Sequence, residues 1–298
     1  MYYEPLDLNL YLEKEAGYIG RDCSTNNEIC EIKLVKRTRV SPTAHLFVFG
    51  YPQEIKGAVE VGAFGHFLFS GHLLESATPG FWNAVKLENG EKEVKRKYTP
   101  IYIDAAKRQI HFLIRIYGPC EEFPDGGKFT RFLDKLEVQD SLKVIPWKPK
   151  YRLVEEAVIR VLGRRLEYKV LNLIAAGTGI TPFVRLLTHY QNTPVSVNLI
   201  YCNRSIEEIM LKELFDTLTC SNSNIRVRYL VYSRKDYSES GSIADSPSIS
   251  RCIINKEIIS EVLEVAEKSV TLYCGPPKFC DLVKELLASL NFTNSHVI

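Results

Sequence analysis

Four short stretches of this 298-residue chain place residues at spacings that can do chemistry, and each suits a negatively charged or planar ligand. Leu173-Ile174-Ala175-Ala176-Gly177-Thr178-Gly179-Ile180-Thr181-Pro182 reads as a buried strand entering a helix through a glycine turn. The glycines let backbone N–H groups approach a ligand, Thr181 suits the N-cap, and Pro182 suits the first helical position. Such a junction attracts anions, phosphate above all. Gly126-Gly127-Lys128-Phe129-Thr130-Arg131 opens an amphipathic segment and offers a second anion site. Arg96-Lys97-Tyr98-Thr99-Pro100 supplies an Arg for a pyrophosphate, a Tyr to stack on a planar ring and a hydroxyl for that ring's edge. Tyr273-Cys274-Gly275-Pro276-Pro277 is the fourth stretch. Two phosphate sites and a ring-binding set point to two dinucleotides, one of them a flavin.

Taken singly, each stretch has a plainer reading. Arg96 lies in the charged run 91–97, which alone would be a solvated edge strand; Tyr98 alone is a strand aromatic, and Cys274 alone a buried thiol. Their order lifts them together.

In that order the chain resembles the NADH-cytochrome b5 reductase branch of the ferredoxin-NADP reductase superfamily, whose motifs run R-x-Y-T, G-G-K-x-S/T, G-T-G-x-T-P and C-G-P-P. The resemblance covers roughly Ile29 to Phe292. It implies an FAD-dependent oxidoreductase that passes a hydride from NADH or NADPH to the flavin and single electrons onward to an acceptor such as cytochrome b5 or a similar haem protein. By motif, it assigns Arg96 to the FAD pyrophosphate and Tyr98 to the ribityl chain and ring. Thr99 falls close to the reactive ring nitrogen, and Gly126, Gly127, Lys128 and Thr130 complete the FAD phosphate cradle. Arg115 and Tyr117, in Ile114-Arg115-Ile116-Tyr117, take the places of a basic residue near the nicotinamide nucleotide and a Tyr near the flavin nucleotide. Gly177, Thr178, Gly179 and Thr181 line the cleft between the cofactors, and Cys274, Gly275 and Pro276 lie where nicotinamide meets flavin. Thr99 and Cys274 are the catalytic candidates. Ser233 and Arg234, helped by Lys235, suit a ribose 2′-phosphate, while Asp236 works against it, so NADPH is expected to serve at least comparably to NADH.

Two departures stand out. Ile145-Pro146-Trp147-Lys148-Pro149-Lys150 replaces the family's G-P-x-G turn, and the chain stops at His296-Val297-Ile298 where relatives end in an aromatic residue. An alternative function is a binding module that keeps the reductase fold without turnover.

These residues must be held by two different kinds of element. Glu31 to Arg39, His45 to Tyr51, His66 to Ser70, Lys97 to Ile103, Gln109 to Tyr117 and Ser141 to Ile145 read as short strands of a closed antiparallel β-barrel, interrupted by a helix from Lys128 to Leu136. The stretch 71–90 reads as a loop longer than such a barrel needs. From Tyr168 strands alternate with helices at 182–190, 206–218, 256–268 and 278–290, the signature of an α/β doubly wound parallel sheet of Rossmann-like type. The expected domains are an extension over 1–28 that packs loosely or awaits a partner, an FAD-binding barrel over 29–150, a linker over 151–167 and a NAD(P)H-binding domain over 168–298.

Composition sets limits around this reading. The chain is 45% hydrophobic and 25% charged, with a net charge of +2, so no nucleic-acid partner is expected. It has no run of 18 apolar residues, and no signal or lipidation motif, so no integral membrane segment is expected. The expected setting is cytoplasmic or peripheral to an intracellular membrane, and the expected state monomeric. Eight scattered cysteines, without metal-ligand spacing, read as reduced thiols, and no metal is expected.

Overall fold

The protein is described by a computed structural model, in which residues 6–12, 29–55, 65–88, 92–147, 150–232 and 248–298 are described. They form two compact units, one built from the chain up to Pro149 and one from Lys150 onward together with the short helix α1 (Leu8–Leu12).

The first unit is a seven-stranded antiparallel sheet. Its strands are β1 (Cys30–Arg39), β2 (Ala44–Gly50) and β3 (His66–His72), then β6 (Glu93–Tyr98), β7 (Tyr102–Asp104), β8 (Gln109–Arg115) and β9 (Ser141–Trp147) in the order β6-β3-β9-β1-β2-β8-β7. A separate hairpin, β4 (Phe81–Trp82) and β5 (Val85–Lys86), lies between β3 and β6 in sequence, and helix α2 (Thr130–Asp134) precedes β9. The sheet is rolled. Phe69 on β3 and Phe112 on β8 are four strands apart in the ladder, which would separate them by roughly 19 Å in a flat sheet. Their ring centroids lie 4.8 Å apart, edge to face. Phe49 and Phe67 join them at 6.1 and 5.6 Å from Phe112, and this aromatic cluster is the barrel core. The two end strands, β6 and β7, do not pair with each other.

Local chemistry corrects three expectations here. The single strand expected over 97–103 is broken into β6 and β7, because Pro100 has no N–H to give a ladder. The helix expected over 128–136 is only α2. The stretch expected as a loop over 71–90 holds, within its described residues 71–88, the end of β3 and the hairpin, whose two-residue turn Asn83-Ala84 has φ of 48° and 64°, the type I′ combination that matches strand twist.

The second unit begins with a three-stranded antiparallel sheet, β10 (Tyr151–Glu155), β11 (Val158–Val161) and β12 (Arg164–Glu167), over the stretch expected as a linker. Tyr151 is 1% exposed and its hydroxyl donates to the carbonyl of Pro182, which ties this small sheet to the larger one's first helix. The main sheet is wholly parallel, in the order β16-β15-β14-β13-β17-β18. Its strands are β13 (Val170–Ala176), β14 (Ser196–Asn203), β15 (Ile225–Val231), β16 (Ile249–Ser250), β17 (Ser269–Cys274) and β18 (Ser295–Val297). Helices α3 (Thr181–His189), α4 (Lys212–Ser221), α5 (Lys256–Val262) and α6 (Pro277–Ser289) connect them. Leu171, Leu173 and Ile174 on β13 and Val197, Leu199 and Ile200 on β14 are 0% exposed, as a sheet covered on both faces requires.

Two helices are shorter than their apolar patterns. The stretch 206–211 stays out of α4 because Leu211 is left-handed at φ 59°, and α5 ends at Val262 rather than running to 268. The extension is not loose where it is described: Tyr11 of α1 is 3% exposed, and the Gln191 side chain donates to the Leu12 carbonyl at 2.8 Å. No helix among the described residues is long and apolar enough to cross a membrane, and no cluster among them could hold a metal.

Candidate functional site

In the first unit, two of the four stretches come together with the segment Ile114-Arg115-Ile116-Tyr117. Arg96 and Tyr98 are two apart on β6, so they share a face, and the register sets Tyr98 opposite Phe67 and Arg96 opposite Phe69. The Tyr98 ring lies 5.0 Å from Phe69 and 5.8 Å from Phe129, the residue that leads into α2. Burial raises the Tyr98 hydroxyl above its ordinary range, with Arg96 opposing, so it is a neutral donor. Arg96 is exposed, its guanidinium donating to the adjacent Lys95 carbonyl at 2.8 Å. Thr99 follows β6 and is half-buried, and Arg115 ends β8 half-buried. Tyr117, 49% exposed, is fastened to the glycine turn: its carbonyl accepts from Gly127 at 2.8 Å, and its N–H donates to the Thr130 hydroxyl oxygen at 3.1 Å.

The glycines of this turn are needed for its shape. Gly126 has φ of 64°, and a Cβ there would lie 2.6 Å from the Tyr117 carbonyl oxygen and 2.9 Å from the Gly118 carbonyl carbon. The N–H groups of Gly126 and Gly127 are engaged with Phe123 and Tyr117, and Thr130 is buried with its oxygen in use. Lys128, half-buried, is the cation at the turn.

Sequence reading missed what holds this turn. Asp125, 2% exposed, accepts from the N–H of Ala77 at 2.5 Å and of Asn83 at 2.6 Å, while the Asn83 side chain accepts from Asp125 N–H at 2.8 Å. Asn83 Nδ2 and Trp82 Nε1 both donate to the Gly126 carbonyl, at 2.8 and 2.9 Å. The Arg131 guanidinium lies 5.7 Å over the Trp82 ring and donates to the Asp125 carbonyl at 3.2 Å. The hairpin β4–β5 is thus bolted to the glycine turn. An Asp directly before two glycines is a turn signal, but its partners 42 to 48 residues upstream leave no local trace.

In the second unit, the other two motifs are neighbours in the sheet. Ala175 on β13 is in register with Cys274 on β17, so the Gly177 turn and the Gly275 turn leave adjacent strands at their carboxyl ends. Strands β14 to β16 lie on one side of β13 and β17 to β18 on the other, which makes this pair the topological switch point where ligands bind in such sheets. Gly177 has φ of 53°, and its carbonyl accepts from the Tyr201 hydroxyl at 3.1 Å. Residues Gly177–Ile180 form a 3-10 turn, Thr178 half-buried within it, before α3 begins.

Two expectations change at this turn. Thr181 does not cap the helix: its hydroxyl donates backward to the Thr178 carbonyl at 3.1 Å. Gly179 is buried, and a Cβ there would lie 2.6 Å from the Cys274 carbonyl carbon, closer still to its oxygen, and 2.9 Å from Gly275 nitrogen. Its role is backbone packing between the two turns. Gly275 is similar, since a Cβ would meet the Phe279 ring at 2.7 Å and the Ala176 methyl at 3.0 Å. Pro276 is exposed and precedes α6. Cys274 is half-buried, and burial, with Cys280 next, pushes its thiol up to about 11, so it stays protonated near neutrality. Ser233 and Arg234 lie outside the described residues.

The donor sets fit the groups the motifs imply. The first unit offers cations, hydroxyls and neutral aromatics around one glycine turn, which suits a flavin nucleotide. The second offers a switch-point crevice with a left-handed glycine at its mouth, which suits a dinucleotide phosphate.

Comparison with known proteins agrees. Residues 76–146 match the oxidoreductase FAD-binding domain, and residues 173–285 match the oxidoreductase NAD-binding domain. The chain is therefore an FAD- and NAD-binding oxidoreductase of the two-domain reductase fold. Within that class it is similar to NADH-cytochrome b5 reductase 1 of Aspergillus clavatus, 28% identical over 283 residues that cover 91% of this chain and 77% of the relative. It is also similar to the NADH nitrate reductase of Cucurbita maxima, 25% identical over 94% of this chain but only 28% of the relative, so it spans about a quarter of such proteins. The cytochrome b5 reductase domain of Ulva prolifera nitrate reductase shares the fold, with a TM-score of 0.73 at 20% identity, covering 92% of this chain and 99% of that domain.

Proposed function

We propose that this chain takes reducing equivalents from NADH or NADPH and hands single electrons to a haem-protein acceptor of the cytochrome b5 kind, in the cytoplasm or at the face of an intracellular membrane. The reading is carried by one observation: four motifs scattered from 96 to 277 collapse into two places, one in each unit. Bound FAD would supply the conversion of a two-electron donor into one-electron output. Arg96 and Lys128 would neutralise its pyrophosphate, and Tyr98 and Tyr117 would pack along its ring and ribityl chain. Thr99 would hold a hydrogen bond at the ring edge, and Arg115 would add charge toward the nicotinamide nucleotide.

In the second unit Gly177, Thr178, Gly179 and Thr181 would shape the crevice, Gly275 and Pro276 would carry the chain past it, and Ser233 and Arg234 would meet a ribose phosphate. Cys274, protonated, would position the nicotinamide by contact and not act as a nucleophile. Its loss should act on rate more than on binding. Cys274→Ala is expected to slow stopped-flow flavin reduction about fivefold, the worth of one contact of about 1 kcal/mol, with FAD content unchanged; an unaltered rate removes Cys274 from the reaction.

The visible spectrum of the purified protein, taken anaerobically before and after one equivalent of NADH or NADPH, tests the whole reading. A flavin spectrum that bleaches with both nucleotides, at rates within about tenfold of each other, is expected. A hundredfold preference for NADH would refute the Ser233 and Arg234 assignment. A protein that stays colourless after incubation with FAD would instead favour a binding module that kept the fold.

A further inference from the structure

Strand β14 ends at Asn203, a residue outside the four motifs. Ala176 is in register with Cys202, so Asn203 stands level with Gly177. Side chains alternate along a strand, and Asn203 therefore shares a face with Tyr201. The Tyr201 hydroxyl reaches the Gly177 carbonyl at 3.1 Å, which identifies that face as the one bearing the glycine turn. Two residues further, about 7 Å along the strand, Asn203 sits at the carboxyl edge beside the turn.

Asn203 is 8% exposed, yet neither its amide nitrogen nor its amide oxygen has a hydrogen-bond partner among the described residues. Only its backbone is engaged, its carbonyl accepting from Tyr232 at 3.0 Å. Other buried asparagines of this unit are tied to the protein: Asn172 donates to the Glu264 carbonyl at 2.8 Å, and Asn222 to the Leu218 carbonyl at 2.9 Å. A buried amide with both atoms unmet is costly, and an apolar residue would be better for the fold alone.

We infer that Asn203 is a recognition residue for the adenosine half of the nicotinamide nucleotide, its amide donating to and accepting from the adenine or ribose edge. The inference rests on the proposed function. Cys274 and Gly275 lie at the end of β17, on the opposite side of β13 from β14. A dinucleotide with its nicotinamide there crosses the carboxyl ends toward β14 and β15 with its other half. An asparagine amide pairs a donor and an acceptor with adenine's matching edge.

The test is calorimetric titration of the full-length, FAD-loaded protein with ADP-ribose and with nicotinamide mononucleotide. Asn203→Leu is expected to weaken ADP-ribose at least tenfold, leave the mononucleotide within twofold, and leave the melting temperature unchanged or raised. Asn203→Ala should repeat the loss and serves if the leucine variant does not fold. Equal ADP-ribose affinity in variant and wild type overturns the assignment, as does a loss shared equally by both ligands. A wild-type protein that binds neither ligand overturns the proposed function itself.

Discussion

Gly179→Ala is expected to be among the most damaging single-methyl changes at the described glycines. The added carbon would lie 2.6 Å from the Cys274 carbonyl carbon and 2.9 Å from Gly275 nitrogen, and nearer still to the Cys274 oxygen. All three neighbours are backbone, so no side-chain rotation relieves the clash. Forcing the two turns apart should cost about 3 kcal/mol, the upper end for overpacking, and lower the melting temperature of the second unit by about 10 °C. Nucleotide-driven flavin reduction should fall with it, because both turns at the switch point move. Gly177→Ala is a useful contrast: the penalty there comes from φ of 53° alone and should be about 1 kcal/mol. Calorimetric melting of the two variants beside the wild type decides the matter. Equal stability of Gly179→Ala and wild type would mean the turns are not packed as described.

The second large effect is expected at Asp125, through FAD rather than the nucleotide. Its carboxylate accepts the N–H groups of Ala77 and Asn83, and these are the links that hold the hairpin onto the glycine turn. Asp125→Ala should loosen Trp82, Asn83 and Gly126 together and weaken FAD binding by about 10- to 100-fold, since misplacing a site by about 1 Å carries costs of that size. Asp125→Asn keeps the shape but presents an amide to one backbone donor, and should fall in between. The same bonds impose a pH signature. The Ala77 and Asn83 N–H groups hold the Asp125 carboxyl below its ordinary range. A depressed carboxylate contributes stability above its unfolded value and loses it as pH falls through the folded one. FAD retention should therefore decline below the usual carboxylate range in wild type, and this acid limb should flatten in Asp125→Asn. Fluorescence of released flavin between neutral and acid pH measures both; an identical acid limb in the two proteins would remove Asp125 from the support of this site.

The hydrophobic pattern alone was enough for much of the architecture. The alternating short strands before Ile145 and the continuous apolar runs such as 170–176 announced an antiparallel unit followed by a parallel sheet, because each pattern matches only one way of burying a strand. The four motifs were legible because glycine, proline, arginine and hydroxyl residues cluster locally where a chain must turn around an anion.

What the sequence did not reveal depends on partners distant along the chain. Residues 151–167 have too few residues per strand to announce a sheet, and Tyr151 finds Pro182 only after folding. Thr181 has the right type for a cap, yet the preceding 3-10 turn sends its hydroxyl back to Thr178. Asp125 bonds across more than forty residues to a loop that looked like an insertion, and Asn203 gains meaning only from its register with β13 and its unmet amide. Periodicity thus determined most of the elements, and the local motifs pointed to phosphate-bearing ligands, since these follow from residues within one turn or strand of each other. The tertiary structure decided which glycines are packed against backbone, which loop supports the flavin turn and which polar group stands unpaired at the switch point, because each of those is a contact between segments whose separation no local pattern encodes.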